Sequence, residues 1–173
     1  MDNALISDKG QMTADEQLVT NRMATLSLDL KALASVSNIF RAATAVRTHM
    51  ERTVLSSHAL SWSAFVVLFV LRVWGEQESR DLAPEAGITA GTLSGVLDTL
   101  ERKGFSERIT HPEDRRKVVV ALTASGLVVI NEIMPAFNRE EAQVTGRLTE
   151  SEMAELARLL RIVLETAQDI DQR

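Results

Sequence analysis

The chain has 173 residues, of which 45% are apolar and 25% charged, a balance that supports a buried core and argues against disorder. It contains no cysteine, which excludes disulfides, thiolate metal sites and thiol-based redox sensing. Its net charge of −5 weighs against nucleic-acid binding, although a local basic patch on an acidic chain is sufficient for it.

The N-terminal residues are polar and mixed in charge, with no signal-peptide pattern. The most apolar run, residues 64–73, is too short to cross a bilayer and is interrupted by Arg72. A cytoplasmic protein without a membrane partner is the resulting expectation. Residues 1–12 read as a flexible tail. Thr13 and Glu16 have the spacing of a capping box, so a helix is expected to start there. From Asp15 to Ser56 there is neither Pro nor Gly. Leu26, Leu30, Leu33, Val36, Ile39 and Phe40 recur at intervals of three and four, which predicts one very long helix or two joined ones. A stripe that long exceeds what one small domain buries, so a partner chain is expected against it.

Ser61 is a good N-cap for a helix over residues 62–74, apolar nearly all round and therefore central and buried, with Gly75 as its stop. Trp62 and Phe65 either pack in the core or wall a small-molecule pocket. Ser79 is the expected cap of a short helix over 80–86. Gly87 makes a turn, and Thr89 caps a second helix that ends at Gly104. Two short helices joined by a Gly-containing turn form the helix-turn-helix pattern. Leu93, Val96, Leu97 and Leu100 make one face of the second helix; Gly91, Ser94, Gly95, Asp98 and Arg102 lie opposite. Pro84, inside the first helix of the pair, removes one backbone donor and has no evident role.

After Gly104 the period changes to two. Residues 105–110 and 117–122 read as the strands of a β-hairpin, with a charged tip from His111 to Arg116. Thr123 opens another long helix carrying Leu127, Ile130, Ile133, Met134 and Phe137, with a kink expected at Pro135. Thr149 and Glu152 box the start of the last helix. Its stripe is Met153, Leu156, Leu160, Val163, Leu164, Ala167 and Ile170. The fold class is mainly α with a small β-hairpin wing. A winged helix-turn-helix lobe (59–123) is flanked by helical dimerisation regions (13–58 and 124–173).

No catalytic constellation stands out. The three histidines lack ligand spacing and no phosphate-binding Gly-rich loop follows a strand, so neither an enzyme nor a metal or cofactor site is expected. The informative signal is the order of parts. A helix has the width of the DNA major groove, and a ribbon beside it can place a cation in the adjacent minor groove, where the potential is most negative. From Arg108 to Lys117 there are four cations against Glu113 and Asp114. The candidate DNA-binding residues are therefore Thr89, Ala90, Gly91, Thr92, Ser94 and Gly95 on the helix, and Arg108, Asp114, Arg115, Arg116 and Lys117 on the hairpin. Thr89 and the free N–H groups at the helix start suit a phosphate, and Thr92 and Ser94 offer hydroxyls. Gly91 and Gly95 permit close approach but read no bases, so DNA shape and deformability are expected to carry much of the specificity.

The residues Leu82-Ala83, Gly87-Ile88-Thr89, Thr92-Leu93-Ser94, Leu100-Glu101-Arg102-Lys103-Gly104, Asp114-Arg115-Arg116 and Leu122-Thr123 resemble the MarR (multiple antibiotic resistance regulator) family over about residues 60–126. The resemblance implies a homodimer with interlocked terminal helices, binding a palindromic operator in double-stranded DNA. It implies that Arg116 enters the minor groove, oriented by Asp114, while Arg115 and Lys117 meet phosphates. It also implies a repressor released by a small aromatic or anionic effector. Phe40, Arg47, Met50, Trp62 and Phe65 are the candidate wall residues of the effector cleft. The alternative is a winged-helix protein-interaction module that does not touch DNA, which the acidic balance favours.

Overall fold

The computed structural model describes residues 10–110 and 118–171. It divides into two compact units, residues 1–46 and 47–173.

The first unit holds α1 (Ala14–Met23) and most of α2 (Leu30–Thr53). Thr13 caps α1 through the expected box: its hydroxyl accepts from the Glu16 N–H, and the Glu16 carboxylate accepts from the Thr13 N–H at 2.7 Å. The long Pro- and Gly-free stretch is two helices, and Leu26 lies in the break between them. Asp29 restarts the helix, because its Oδ1 accepts from the backbone N–H groups of Lys31 and Ala32, both at 3.0 Å. Within this unit Glu16 also accepts from the Asn38 amide, which ties α1 to α2.

The second unit is built around α3 (Trp62–Trp74), capped by Ser61 and stopped at Gly75 with φ 78°. Ala64, Phe65, Val67, Leu68, Val70 and Leu71 of α3 are buried. Each large side chain so buried contributes about 1.5–3 kcal/mol. Against α3 pack α4 (Ser79–Glu85), α5 (Ala90–Arg102), β3 (Val118–Leu122) and α6 (Ala124–Thr145). Leu82, Leu97, Leu100, Val120, Ile130 and Ile133 complete the interior. Pro135 lies inside α6, which continues without interruption to Thr145. The last helix, α7 (Glu150–Asp171), is boxed by Thr149 and Glu152 as expected and has no buried residue.

Two expectations are corrected. The expected hairpin is present as β2 (Ser106–Thr110) paired antiparallel with β3, but a third strand was not foreseen: β1 (Gln77–Glu78) pairs with the other edge of β3. A two-residue strand has no periodicity to read. The same strand displaces the expected cap of α4. Ser79 is the first helical residue, and Glu78, held extended by its pairing with Val119, is the N-cap; its side chain makes no capping bond, and its carboxylate instead meets Arg80 at 3.0 Å.

Candidate nucleic-acid interface

The helix-turn-helix pair is set by short-range chemistry. Gly87 takes φ 63°, a left-handed turn that a side chain would strain, and donates to the Pro84 carbonyl at 3.0 Å. The Thr89 hydroxyl then caps α5 by accepting from the Thr92 N–H at 3.1 Å. The hydroxyls of Thr89 and Thr92 are also 2.9 Å apart, so both are held at the helix start.

The amphipathicity of α5 decides what it presents. Leu93, Leu97 and Leu100 are buried against the rest of the unit, and Val96 is half-buried. That leaves Thr89, Ala90, Gly91, Thr92, Ser94 and Gly95 exposed together, as expected. No side chain on this patch is longer than a threonine. A Cβ added at Gly95 would meet nothing within 4 Å, and one at Gly91 only the Thr89 hydroxyl at 3.9 Å, so neither glycine is required by packing.

Beside this face stands the wing. Its base is fixed by Thr123, whose hydroxyl donates to the Gly104 carbonyl at 2.5 Å and accepts from the Gly126 N–H at 3.0 Å. One residue therefore caps α6 and ties the end of β3 to the start of β2. Asp114, Arg115, Arg116 and Lys117, the expected tip residues, lie outside the described residues. Arg108 on β2 is described, and it is engaged. Its Nη1 donates to Asp98 at 2.9 Å and to Glu101, and its Nη2 to the Ser94 carbonyl at 3.3 Å. Nothing in the sequence signalled these acidic partners, because they reach Arg108 through the tertiary fold. Next to it a cleft of about 340 Å³ opens between α5 and the wing, with Arg80, Ser94, Leu97 and Val118 in its wall.

The five candidate effector residues are placed differently from one another. Met50 is fully buried and Phe65 is 5% exposed, so both are core residues. Trp62 is half-buried and joins Phe65 and Phe137 in an aromatic cluster; the Phe65 and Phe137 rings stack with centroids 4.3 Å apart. Arg47 is exposed. Phe40 belongs to the N-terminal unit, is 69% exposed, and lines a groove of about 500 Å³ between α1 and α2 with Val19, Leu30, Leu33 and Arg41. Phe137 escaped the sequence reading, which took it only as part of a helical stripe. Also unforeseen was the contact between His49 on α2 and Glu140 on α6, 2.7 Å apart. Among the described residues, no group of three or more His, Asp or Glu is arranged to hold a metal ion. None of their helices is long and apolar enough to cross a membrane.

The MarR family model matches residues 60–118, from just before α3 to the first residue of β3. An HTH-type transcriptional regulator of Bacillus subtilis, YwaE, is 40% identical over 144 residues, covering 83% of this chain and 84% of the relative. The chain belongs to the MarR family. As a MarR-family transcriptional regulator it also resembles the homoprotocatechuate degradative operon repressor of Escherichia coli, 27% identical over 63% of this chain and 74% of the relative. Among solved structures, a mutant MarR of Escherichia coli complexed with operator DNA is 26% identical with a TM-score of 0.72, covering 80% of this chain and 99% of that one. A structure concerning regulation of DNA binding of Bordetella bronchiseptica BpsR by 6-hydroxynicotinic acid is 29% identical with a TM-score of 0.68, covering 75% and 98%.

Proposed function

We propose that this regulator binds double-stranded DNA as a homodimer and represses transcription until a small aromatic or anionic molecule releases it. The observation that carries the reading is the exposed face of α5, where only small and hydroxyl-bearing side chains project beside the wing. Such a helix enters the major groove closely, with the Thr89 cap and the first N–H groups of α5 against a phosphate. Arg116 at the wing tip enters the flanking minor groove, oriented by Asp114, while Arg115 and Lys117 meet phosphates. The likeness to the operator-bound MarR supports DNA as the partner.

The dimer is supported by what the protomer leaves uncovered. Helix α7 has 22 residues, about 33 Å of helix, and buries none of them. Leu156, Leu160, Val163 and Leu164 are all exposed along it. Most of a helix's stability in a protein comes from packing its apolar face, and a second copy supplies that packing. The release step is supported by the small molecule named with BpsR, and half-buried Trp62, at the edge of the aromatic cluster, is where such a ligand is proposed to act. Release requires only that the ligand bind the DNA-free state better.

The deciding experiment selects duplexes from a random pool with the purified protein and titrates a selected duplex by fluorescence anisotropy across salt concentrations. The expected result is tight binding that weakens steeply with salt. Arg116→Ala is expected to lose at least tenfold in affinity with unchanged thermal unfolding. Selection of no duplex above background would favour a protein-interaction module instead.

A further inference from the structure

We infer that Arg108 is a positioning residue: it fastens the wing to the recognition helix, and DNA affinity depends on it through that fastening and not through a phosphate contact. The inference rests on the DNA-binding reading above and concerns how the two DNA-facing elements are held in register.

Among the described residues, Arg108 donates to the Ser94 carbonyl, the Asp98 carboxylate and the Glu101 carboxylate. They stand at spacings of four and three along α5, which puts them on one stripe of the helix. The guanidinium from β2 therefore gathers acceptors that come from about two turns of α5, and holds that helix at several points. Both Nη1 hydrogens are committed to carboxylates. A lysine, with a single compact charge, has no fork with which to repeat this arrangement.

Charge points the same way. Helix α5 carries Asp98 and Glu101 against one cation, Arg102. The Asp98 side chain is 64% exposed, whereas that of Arg108 is 31% exposed. Were Arg108 to swing to a phosphate, two carboxylates would be left uncompensated on a helix that approaches a polyanion. Kept in place, it neutralises them and fixes the wing at a set distance from the exposed Thr89-to-Gly95 patch.

The test compares Arg108→Gln, Arg108→Lys and the double variant Asp98→Asn/Glu101→Gln by anisotropy on a duplex selected by the parent protein, at several salt concentrations. The double variant is the sharpest arm, because it removes two negative charges from the DNA side. On charge alone it should bind more tightly. If Arg108 is a fastener, the double variant binds several-fold more weakly. Arg108→Gln and Arg108→Lys then each lose on the order of tenfold, and the salt slope stays at the parent value. The inference is overturned if the double variant tightens binding and steepens the salt slope by about one ion, the signature of a freed phosphate contact. Full affinity in Arg108→Lys overturns it as well. If the parent protein selects no duplex, the DNA-binding reading fails first; tightening in the double variant refutes the fastener alone.

Discussion

Gly126 offers the sharpest quantitative test of how the wing is seated. It lies in the first turn of α6, and a Cβ built on it would sit 1.8 Å from the Phe105 carbonyl oxygen, 2.8 Å from the carbonyl carbon and 3.1 Å from Cα. All three are backbone atoms, so relief requires the start of β2 and the start of α6 to separate by about 1 Å or more. That movement strains the Thr123 N–H to Phe105 carbonyl bond at 3.2 Å and the Thr123 cap on the Gly126 N–H at 3.0 Å. Overpacking of this kind costs about 1–3 kcal/mol, and a lost cap adds about 1 kcal/mol. Against this, alanine gains about 1 kcal/mol over glycine in a helix. The steric loss wins, and Gly126→Ala is expected to destabilise by about 1–3 kcal/mol. Gly95→Ala is the internal control: nothing lies within 4 Å of its added Cβ, so the helix gain is unopposed and stability should rise by up to about 1 kcal/mol. Urea unfolding at fixed protomer concentration measures both. A Gly126→Ala protein as stable as the parent would refute the close seating of α6 on β2. Gly95→Ala should meanwhile weaken DNA binding several-fold, since its methyl group stands on the face that approaches the groove.

Other outcomes follow from the same geometry. Leu160→Glu places a charge on the exposed stripe of α7, and light scattering should show a shift from twice the chain mass to the chain mass; an unchanged dimer would move the interface elsewhere. Among the described residues the buried Ser106 hydroxyl has no hydrogen-bond partner, so Ser106→Ala should be neutral or stabilising by up to about 1 kcal/mol in urea unfolding, and a clear loss would reveal a partner. Glu16 is held below the usual glutamate range, first by the Thr13 backbone N–H and then by the Asn38 amide. A carboxylate depressed in the folded state stabilises above its unfolded pKa, and that stabilisation fades as pH falls through the folded pKa. Protection of the α1 amides, corrected for the pH dependence of intrinsic exchange, should therefore fall on acidification below the ordinary glutamate range, and Glu16 titrating at or above 4.5 by NMR would contradict the capping box.

Much of the fold was legible because it is written locally. Thr13, Ser61, Thr89, Thr123 and Thr149 each sit just before a helix, and each does so through hydroxyl chemistry that acts within three residues. The buried stripe of α5 followed from its 3.6-residue period. What was not legible is tertiary. The strand at Gln77–Glu78 exists only because β3 lies beside it, and it overrode the capping preference of Ser79. The sequence marked Arg108 as a cation in a basic segment, but its neutralisation by Asp98 and Glu101 comes from two elements meeting in space. Met50 and Phe65 were named as possible pocket walls on helix position alone, and periodicity does not separate a wall from a core.

The short strand β1 also bears on the order in which the chain acquires its shape. An isolated hairpin closes over a few residues and forms in microseconds. Here the central strand pairs on one side with Gln77 and Glu78, roughly forty residues upstream, so that ladder forms only after both intervening helices have been laid down. The outer edge of the sheet thus matures together with the helices it serves, and a nascent chain released before β3 is synthesised has a recognition helix but no stable ribbon beside it.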